Sequence, residues 1–310
     1  MKIVFLDAKS IGDDIDLSIF EDFGEVIQYT FTTTEEALER TKDADIIIDN
    51  KVPINASTIG KAKKLKLVCV TATGTNNLDK PYLEQRGIAW RNVAGYSTES
   101  VAQHTFAMLF YLYEHLAYYD HYVKSEQYAG DTLFTHFDRH FCELKGKTWG
   151  IIGLGNIGRR VAEIATVFGC HVIYYSASGK NNHPSYEKVD LETLLGNSDI
   201  LSIHAPLKAS TENLINEKTL KQMKSSAVLL NLGRGPIINE EALAKALENK
   251  WIAAAGLDVL KVEPMLKTNP LIKMKDSERL LITPHIGWAS VEARNRLMQI
   301  IYTQIETFFA

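Results

Sequence analysis

The sequence predicts an α/β fold of two lobes, each built around a parallel sheet. Short runs rich in branched and aromatic apolar residues alternate with polar, helix-forming segments from the first residue. This alternation is typical of βαβ units, whose strands are buried on both faces of the sheet. It is interrupted by a long helical stretch at 98–126 and then resumes. A chain of 310 residues also exceeds the roughly 250 to 300 at which single cores stop growing.

The predicted strands form two groups, one before and one after the 98–126 stretch. The first group comprises KIVFLDA, EVIQYT, ADIIID, LKLVCV and GIAW, and the second comprises KTWGIIG, HVIYYS, SDILSIHA, SAVLLN, WIAAAGLDV and RLLITPH. Ser97 or Thr98 is expected to cap the long helix, which continues with Glu99. A second long helix is predicted at 289–309 from the helical spacing of its apolar residues, and it is expected to return the C-terminus to the first lobe.

The composition argues against polyanion and membrane partners. The formal net charge is -4 and the pI is about 6.2, so no broad basic surface is expected to hold nucleic acid or anionic lipid. The apolar stretch 100–113 is shorter than the roughly 20 residues that span a bilayer, and the N-terminus shows no secretory signal. Cys69, Cys142 and Cys170 form neither a CxxC motif nor a disulfide framework. We therefore expect a cytoplasmic protein with a small-molecule partner and no bound metal.

The segment GIIGLGNIG contains a dinucleotide-binding signature of the Rossmann type. Gly153, Gly155 and Gly158 have GxGxxG spacing between an apolar strand and a helix, which is the context that this motif requires. The first glycine permits a tight turn, the second lets a pyrophosphate approach the backbone, and the third packs the helix against the strand. The amides of Asn156 and Ile157 at the helix start are then expected to bind phosphate. A glycine-rich turn without a ligand is the alternative.

The end of the next strand bears on the choice between NAD and NADP. A carboxylate roughly 20 residues beyond the motif usually accepts the ribose 2'-hydroxyl of NAD. Ser176 occupies the corresponding place here, in YYSASGKN. Ser176, Ser178 and Lys180 can donate to a 2'-phosphate, which a carboxylate would repel. The sequence therefore leaves NAD and NADP both open, and an ordinary polar turn is the alternative to either.

Three further motifs follow predicted strands in the second half of the chain: NLGRGP at 231–236, GLDVLKVEP at 256–264 and TPHIGW at 283–288. Ligands of open parallel sheets bind beyond the carboxyl ends of the strands, so these three loops are expected to converge. Their chemically active residues are Arg234, Glu263 and His285.

These three side chains suit the reduction of a carbonyl by hydride. The guanidinium of Arg234 can hold a substrate carboxylate and polarise the neighbouring carbonyl. His285 can give a proton to the oxygen that gains charge as hydride arrives, and Glu263 nearby would favour the imidazolium and fix its tautomer. Taken singly, each has a structural alternative: a surface ion pair, a loop charge and a strand-end hydrogen bond, respectively.

Together with VTATGTNNLD and NVAGYSTESVAQHT in the first part of the chain, these motifs resemble the D-isomer-specific 2-hydroxyacid dehydrogenase family over nearly the whole length. The resemblance implies that the arginine, glutamate and histidine named above form the catalytic triad. It also implies two Rossmann-like doubly wound parallel-sheet domains in a homodimer. The flavodoxin-like substrate lobe would comprise 1–98 plus 287–310, and the NAD(P)-binding Rossmann lobe would comprise 99–286.

The resemblance also implies binding residues. Thr73, Gly74 and Thr75 match a family loop whose amides receive the substrate carboxylate, with a strand-to-helix turn as the alternative. Asn50 and Lys51 follow another strand and are expected to approach the substrate, with a solvated loop lysine as the alternative. The further cofactor contacts that the resemblance implies are His204, Ala205, Pro206, Thr211, Leu232, Asp258 and Gly287.

The implied activity is reversible hydride transfer between NAD(P)H and the C2 carbonyl of a small 2-oxo acid, giving the D-2-hydroxy acid. The TATGTNN and GYSTESVAQHT segments are most like the glycerate dehydrogenase or hydroxypyruvate reductase branch, so hydroxypyruvate or glyoxylate is the expected substrate. The alternatives are a small aliphatic 2-oxo acid, as in D-lactate-type enzymes, and a dinucleotide-sensing, corepressor-like binding protein. His104 is interpreted as structural, and the aromatic stretch 111–122 as a helix and dimer surface.

Overall fold

The computed structural model describes residues 1–276 and 278–310, which form two compact units. Unit 1 consists of Met1–Ser97 and Ala289–Ala310, and unit 2 of Thr98–Trp288. The unit boundaries predicted from the sequence lie one residue from the first of these boundaries and two residues from the second. The C-terminal segment thus belongs to the same unit as the N-terminus.

Unit 1 is built on a parallel sheet. Its strands, within the described part of the chain, are β1 (Lys2–Phe5), β2 (Glu25–Gln28), β3 (Ile46–Asp49), β4 (Leu67–Val70) and β5 (Ala89–Asn92). All residues of β3 and β4 are buried, which explains why both strands are apolar apart from Asp49 at the end of β3. The spatial order is β2-β1-β3-β4-β5 with parallel pairing throughout. This is the doubly wound order of flavodoxin-like folds, so the prediction for this lobe is confirmed.

Unit 2 is built on a second, larger parallel sheet. Its strands, among the residues that the structure describes, are β6 (Thr148–Ile152), β7 (His171–Tyr175), β8 (Glu187–Lys188), β9 (Ile200–Ile203), β10 (Val228–Asn231), β11 (Ala254–Leu257) and β12 (Leu280–Ile282). The spatial order is β12-β11-β10-β9-β6-β7-β8. The order reverses between β6 and β9, and ligands of this fold class bind at such a switch point. The predicted Rossmann lobe is confirmed, although the short exposed strand β8 was not predicted.

Helices cover both sheets. Those of the described residues are α1 (Thr34–Arg40), α2 (Ala56–Ile59), α3 (Lys80–Gln85), α4 (Thr98–Tyr113), α5 (Leu116–Lys124), α6 (Asn156–Val167), α7 (Leu191–Asn197), α8 (Glu217–Leu220), α9 (Glu240–Glu248) and α10 (Val291–Phe309). The single helix predicted at 98–126 is wrong, because His115 adopts a left-handed conformation (φ +53°) that ends α4. Within the described ranges, no helix is both long and apolar enough to cross a membrane.

Helix α4 packs against the sheet of unit 2. Trp149 of β6 is fully buried, and its ring centroid lies 4.8 Å from that of Phe106 on α4. The indole Nε1 donates to Ser202 Oγ at 2.9 Å, so the polar end of this large side chain is also satisfied. α4 further contacts β10, β11 and β12, the strands that precede the three motifs of the second half.

Candidate active site

The glycine motif forms the loop between β6 and α6. Gly153 has a φ of +94°, and a Cβ there would lie 2.7 Å from the backbone nitrogen of Ala205. A Cβ on Gly158 would collide with the carbonyl oxygen of Gly153, so both positions require glycine. α6 begins at Asn156 with Gly155 as its N-cap. The first amides of a helix lack intrahelical acceptors, so this loop fits the pyrophosphate of a dinucleotide.

The loop after β7 is polar and basic. Ser176 is buried, and its hydroxyl accepts the amide of Asn181 at 3.4 Å and lies 3.5 Å from the hydroxyl of Ser178. Lys180 is exposed, and Lys188 Nζ donates to a loop carbonyl at 2.7 Å. No acidic residue occurs between 176 and 186. The loop therefore presents hydroxyls and ammonium groups where NAD-specific sites usually have a carboxylate.

The loop after β9 lies beside the glycine motif. Both ring nitrogens of His204 are buried without a hydrogen-bond partner among the described residues, and burial lowers its pKa to about 3. His204 is therefore neutral at physiological pH. Thr211 donates its hydroxyl hydrogen to the carbonyl of Pro206 and accepts the amide of Lys208, both at 2.8 Å. The hydroxyl hydrogen of Thr211 is thus committed to closing this turn.

Glu263 and His285 are in direct contact. The Nδ1 of His285 lies 2.7 Å from Glu263 Oε2, and the other carboxylate oxygen accepts the amide of Leu260 at 2.9 Å. A carboxylate can only accept, so the shared hydrogen belongs to Nδ1 of the ring. The side chains are 28% and 30% exposed, which makes the pair accessible to a small molecule. The Nε2 atom is the ring nitrogen that remains for substrate.

The backbone of His285 is held in a strained conformation. Its φ of +56° is in the left-handed region, which costs about 1 to 2 kcal/mol for a residue with a Cβ. Its amide donates to the carbonyls of Asp258 and Thr283, both at 2.9 Å. The carboxylate of Asp258 accepts the amides of Ile286 and Gly287, also at 2.9 Å. Asp258, expected as a cofactor contact, therefore holds the loop that carries His285.

Arg234 lies in the loop after β10. Its guanidinium donates to the carbonyl of Gly233 at 2.8 Å, and in the ranges that the structure describes it forms no ion pair with a carboxylate. The side chain is half-buried beside buried Leu232. A Cβ on Gly235 would collide with the backbone of Leu260. The loop that carries Arg234 therefore packs closely against the loop that leads to Glu263.

The strand order thus arranges the predicted residues of unit 2 in a row. In the spatial order β12, β11, β10, β9, β6 and β7, the strands are followed by the loops that carry His285, Glu263, Arg234, His204, Gly153 and Ser176, respectively. The three motifs that carry Arg234, Glu263 and His285 follow adjacent strands, as predicted for parallel strands whose carboxyl ends share one edge. Among residues 1–276 and 278–310, no cluster of His, Cys, Asp and Glu that could hold a metal ion is found.

The carboxyl edge of the unit 1 sheet carries the other predicted group. Thr73 donates its hydroxyl to the carbonyl of Val93 at 2.9 Å, and Asn92 donates its side-chain amide to the carbonyl of Thr73 at 2.7 Å. The backbone amides of Thr73, Gly74 and Thr75 have no acceptor in the described part of the chain. A fixed loop with free amides is the arrangement that an anion requires.

Two buried aspartates support this edge of unit 1. The carboxylate of Asp7 accepts the amides of Asn50 and Lys51 at 3.1 and 2.9 Å. Asp49, at the end of β3, accepts the side-chain amide of Asn77 at 2.7 Å. Asp79 caps helix α3 by accepting the amide of Tyr82. The aspartates thereby fix the backbone of the 50–51 loop and connect it to the 71–77 loop.

Sequence reasoning missed these aspartates and the partners of His104. His104 Nε2 lies 3.0 Å from the hydroxyl of Thr283. Asp7 and Asp49 each follow an apolar run, and this position was a usable signal for a structural role at the sheet edge. The contact of His104 had no comparable signal, because it joins residues far apart in the sequence.

Comparisons with known proteins agree on one family. The model of the D-isomer specific 2-hydroxyacid dehydrogenase, NAD binding domain, matches residues 106–287. Hydroxypyruvate reductase of Blautia hydrogenotrophica is 37% identical over 317 residues, which cover 99% of this chain and 97% of that protein. Glycerate dehydrogenase of Methylorubrum extorquens is 36% identical over 310 residues, covering 100% and 96%.

Among solved structures, an acyclic imino acid reductase (Bsp5) in complex with NADPH and D-Arg has a TM-score of 0.85 at 32% identity, covering 100% of this chain and 97% of that one. The family model spans more than half of the chain, and the two relatives align over nearly all of it. The chain therefore belongs to the D-isomer specific 2-hydroxyacid dehydrogenases, nicotinamide-dependent oxidoreductases that act on a hydroxyl group.

Proposed function

We propose that the protein catalyses reversible reduction of hydroxypyruvate to D-glycerate, and of glyoxylate, with NADPH as the preferred reductant. The observation that carries the proposal is the His285–Glu263 pair, with Nδ1 bound at 2.7 Å and Nε2 left for substrate, next to an arginine loop whose guanidinium has no carboxylate partner in the described residues. The names of the relatives from Blautia and Methylorubrum support the substrate.

Each catalytic side chain has one task in this reaction. When bound, the nicotinamide supplies a hydride, which adds to C2 as the carbonyl π electrons move to oxygen. Arg234 binds the substrate carboxylate and polarises the C2 carbonyl. His285 gives the proton on Nε2 to the new alkoxide, and Glu263 keeps the ring oriented and compensates its positive charge. In the oxidation direction, Nε2 takes the proton back.

The amides of Thr73, Gly74 and Thr75 are proposed to receive the substrate carboxylate as well. Their support is the absence of protein acceptors for these amides in the described residues and the fixation of the loop by the Val93 and Asn92 contacts. Asn50 and Lys51 are proposed to bind substrate at the same edge of the unit 1 sheet.

The protein is proposed to act in a reducing compartment, the cytoplasm. This is supported by three free cysteines without a disulfide in the described ranges.

A substrate panel tests the proposed activity. Hydroxypyruvate, glyoxylate and pyruvate are each assayed with NADPH and NADH, and D- and L-glycerate are assayed in the reverse direction. We expect the highest kcat/KM with hydroxypyruvate and oxidation of D-glycerate alone. A preference for pyruvate would favour a D-lactate-type enzyme instead. Binding of either nucleotide without turnover of any acid would favour a dinucleotide-sensing role.

The preference for NADPH is tested at Ser176. A Ser176→Asp substitution places a carboxylate where the 2'-phosphate is proposed to bind, so kcat/KM with NADPH should fall about 10- to 100-fold while that with NADH is retained. Ser225→Asp adds the same charge at an exposed position of unit 2 that precedes β10 and lies outside this loop, and it serves as the matched control. A wild-type protein that prefers NADH tenfold, or equal losses with both nucleotides, would contradict the proposal.

A homodimer is proposed from the exposed aromatic surface of unit 2. Phe134 and Phe137 are 90% and 70% exposed, and Leu133 and Phe141 beside them are also exposed. Several large apolar side chains exposed within one short segment are consistent with a protein interface. Sedimentation should show a dimer for the wild type and a monomer for a variant with serine at both Phe134 and Phe137. Phe31→Ser, an exposed phenylalanine of unit 1, is the control; a monomeric wild type would refute the proposal.

A further inference from the structure

His104 on α4 is connected to the loop that carries the catalytic histidine. Its Nε2 lies 3.0 Å from the hydroxyl of Thr283, and that hydroxyl donates to Asp258 Oδ1 at 2.7 Å. Asp258 in turn accepts the amides of Ile286 and Gly287. The imidazole is 20% exposed and the Asp258 side chain 4%, so this connection is largely shielded from water.

The donor and the acceptor of each hydrogen bond between His104, Thr283 and Asp258 can be assigned. A threonine hydroxyl has a single hydrogen, and Thr283 gives it to the carboxylate of Asp258, which can only accept. The oxygen of Thr283 must therefore accept from His104, whose Nε2 carries a hydrogen. This holds for the neutral Nε2–H tautomer and for the imidazolium alike. Protonation of His104 thus leaves the donor to Thr283 in place.

Asp258 is held as an anion in this arrangement. Burial favours its neutral form, but His104 Nε2, which also lies 3.5 Å from Oδ1, the Thr283 hydroxyl and the loop amides together outweigh burial and hold the pKa of Asp258 below its usual range. An ionised carboxylate accepts amide hydrogens more strongly than a neutral one. The donors on its α4 side therefore strengthen its hold on the amides that follow His285.

The loop after Thr283 depends on these contacts because its backbone is strained. His285 has a φ of +56°, and its amide donates to the carbonyl of Asp258 at 2.9 Å. A Cβ on Gly287 would lie 2.8 Å from Asp258 Oδ2 and 3.3 Å from His104 Cδ2, so the loop fits closely against both side chains. Both sides of the catalytic histidine are thus attached to one aspartate.

We propose that His104 is a positioning residue for His285, acting through Thr283 and Asp258. The inference rests on the proposed function, in which His285 transfers the proton. His104 itself contacts neither of the catalytic pair in the described structure and has no proposed contact with substrate. Its donor hydrogen orients the threonine hydroxyl, which completes the set of donors around the aspartate.

Two pairs of variants test the proposal. His104→Gln keeps a donor where Nε2 stands, whereas His104→Leu removes it. Thr283→Ser keeps the hydroxyl, whereas Thr283→Val removes it at nearly constant shape. We expect kcat for hydroxypyruvate to fall about 10- to 100-fold in the Leu and Val variants, with less than threefold change in the Gln and Ser variants. The Kd for NADPH and the KM for hydroxypyruvate should change little in all four.

Hydrogen exchange of the segment 283–288 provides a readout that does not depend on turnover. Exchange should accelerate in His104→Leu and Thr283→Val and stay at the wild-type rate in the conservative variants. Unchanged kcat and exchange in His104→Leu, or an equal loss in Leu and Gln, would overturn the proposal. Faster exchange with unchanged kcat would show that these contacts hold the loop without positioning His285 for turnover, which would also overturn the proposal. The proton-transfer role of His285 is tested separately by His285→Gln. If His104→Leu does not fold, the threonine pair decides.

Discussion

Both units end their parallel strands in loops supported by carboxylates, but the partners of these carboxylates differ. In unit 2, Glu263 contacts the titratable ring of His285 at 2.7 Å. In unit 1, Asp7 accepts backbone amides and Asp49 accepts amide donors, none of which titrates. Burial raises the pKa of Asp7, and burial together with the charge of Asp7 raises the pKa of Asp49 well above its usual range.

This comparison indicates that the partner decides what a carboxylate does at a sheet edge. A carboxylate paired with an imidazole at a half-exposed position can accompany a proton transfer. A buried carboxylate that accepts only amides fixes the course of the backbone. Substitutions of the Glu263–His285 pair should therefore act mainly on kcat. Substitutions at the unit 1 edge should act on substrate affinity and on stability.

The largest expected effect tests the chemical half of this comparison. His285→Gln removes the group that is proposed to transfer the proton, so kcat for hydroxypyruvate should fall by about 10² to 10⁴. The dinucleotide loop lies on other strands of the sheet, so the Kd for NADPH, measured by fluorescence, should stay within threefold of the wild type. Near-normal turnover would remove the distinction between the two edges.

The convergence of the proposed catalytic residues was predictable because parallel strands align their carboxyl ends. Arg234, Glu263 and His285 each follow an apolar run, and adjacent strands β10, β11 and β12 bring their loops to one edge. The glycine motif was predictable for a different reason, since its spacing marks Gly153 and Gly158, where the neighbouring backbone leaves no room for a Cβ. The regular geometry of parallel strands therefore allows a local sequence pattern to predict which loops lie together at the site.

The departures arose where side chains, rather than strands, determine the structure. The protein partners of Asp258 were not predicted, because the donors around its carboxylate depend on tertiary packing. His104 and Thr283 are 179 residues apart, so no periodicity relates them. The helix break at His115 had no glycine or proline to announce it, because 111–120 contains neither. The single-helix prediction followed propensity alone.

A smaller effect is expected at Lys51, which tests the binding half of the comparison. Its amide is held by Asp7, while its exposed side chain forms no ion pair within the described residues. Lys51→Met keeps the backbone contact and removes the charge, so KM for hydroxypyruvate should rise about tenfold with kcat within threefold. Lys64→Met, an exposed lysine that precedes β4, is the control. A drop in kcat with constant KM would indicate that Lys51 takes part in the chemical step rather than in substrate binding.

The smallest expected effect concerns the free energy of unfolding. Its pH dependence should have opposite signs for Asp49 at the unit 1 edge and Asp258 at the unit 2 edge. The raised pKa of Asp49 means that the folded state binds the proton of this carboxyl group more tightly than the unfolded state does. The free energy of unfolding therefore falls as pH rises from the pKa of Asp49 in the unfolded state towards its pKa in the folded state. Asp258 has a lowered pKa and loses stability as pH falls instead. Asp49→Asn should therefore flatten the decline of the urea midpoint towards neutral pH.

Asparagine keeps an acceptor for the neighbouring amide, and Asn77 can rotate its own amide to match, so the variant should fold. Its urea midpoint is compared with the wild type and with Asp13→Asn, which changes an exposed aspartate of the same unit. A midpoint of Asp49→Asn that declines with pH as steeply as the wild type would show that Asp49 is ionised in the fold. The two edges would then differ in their hydrogen-bond partners but not in their charge.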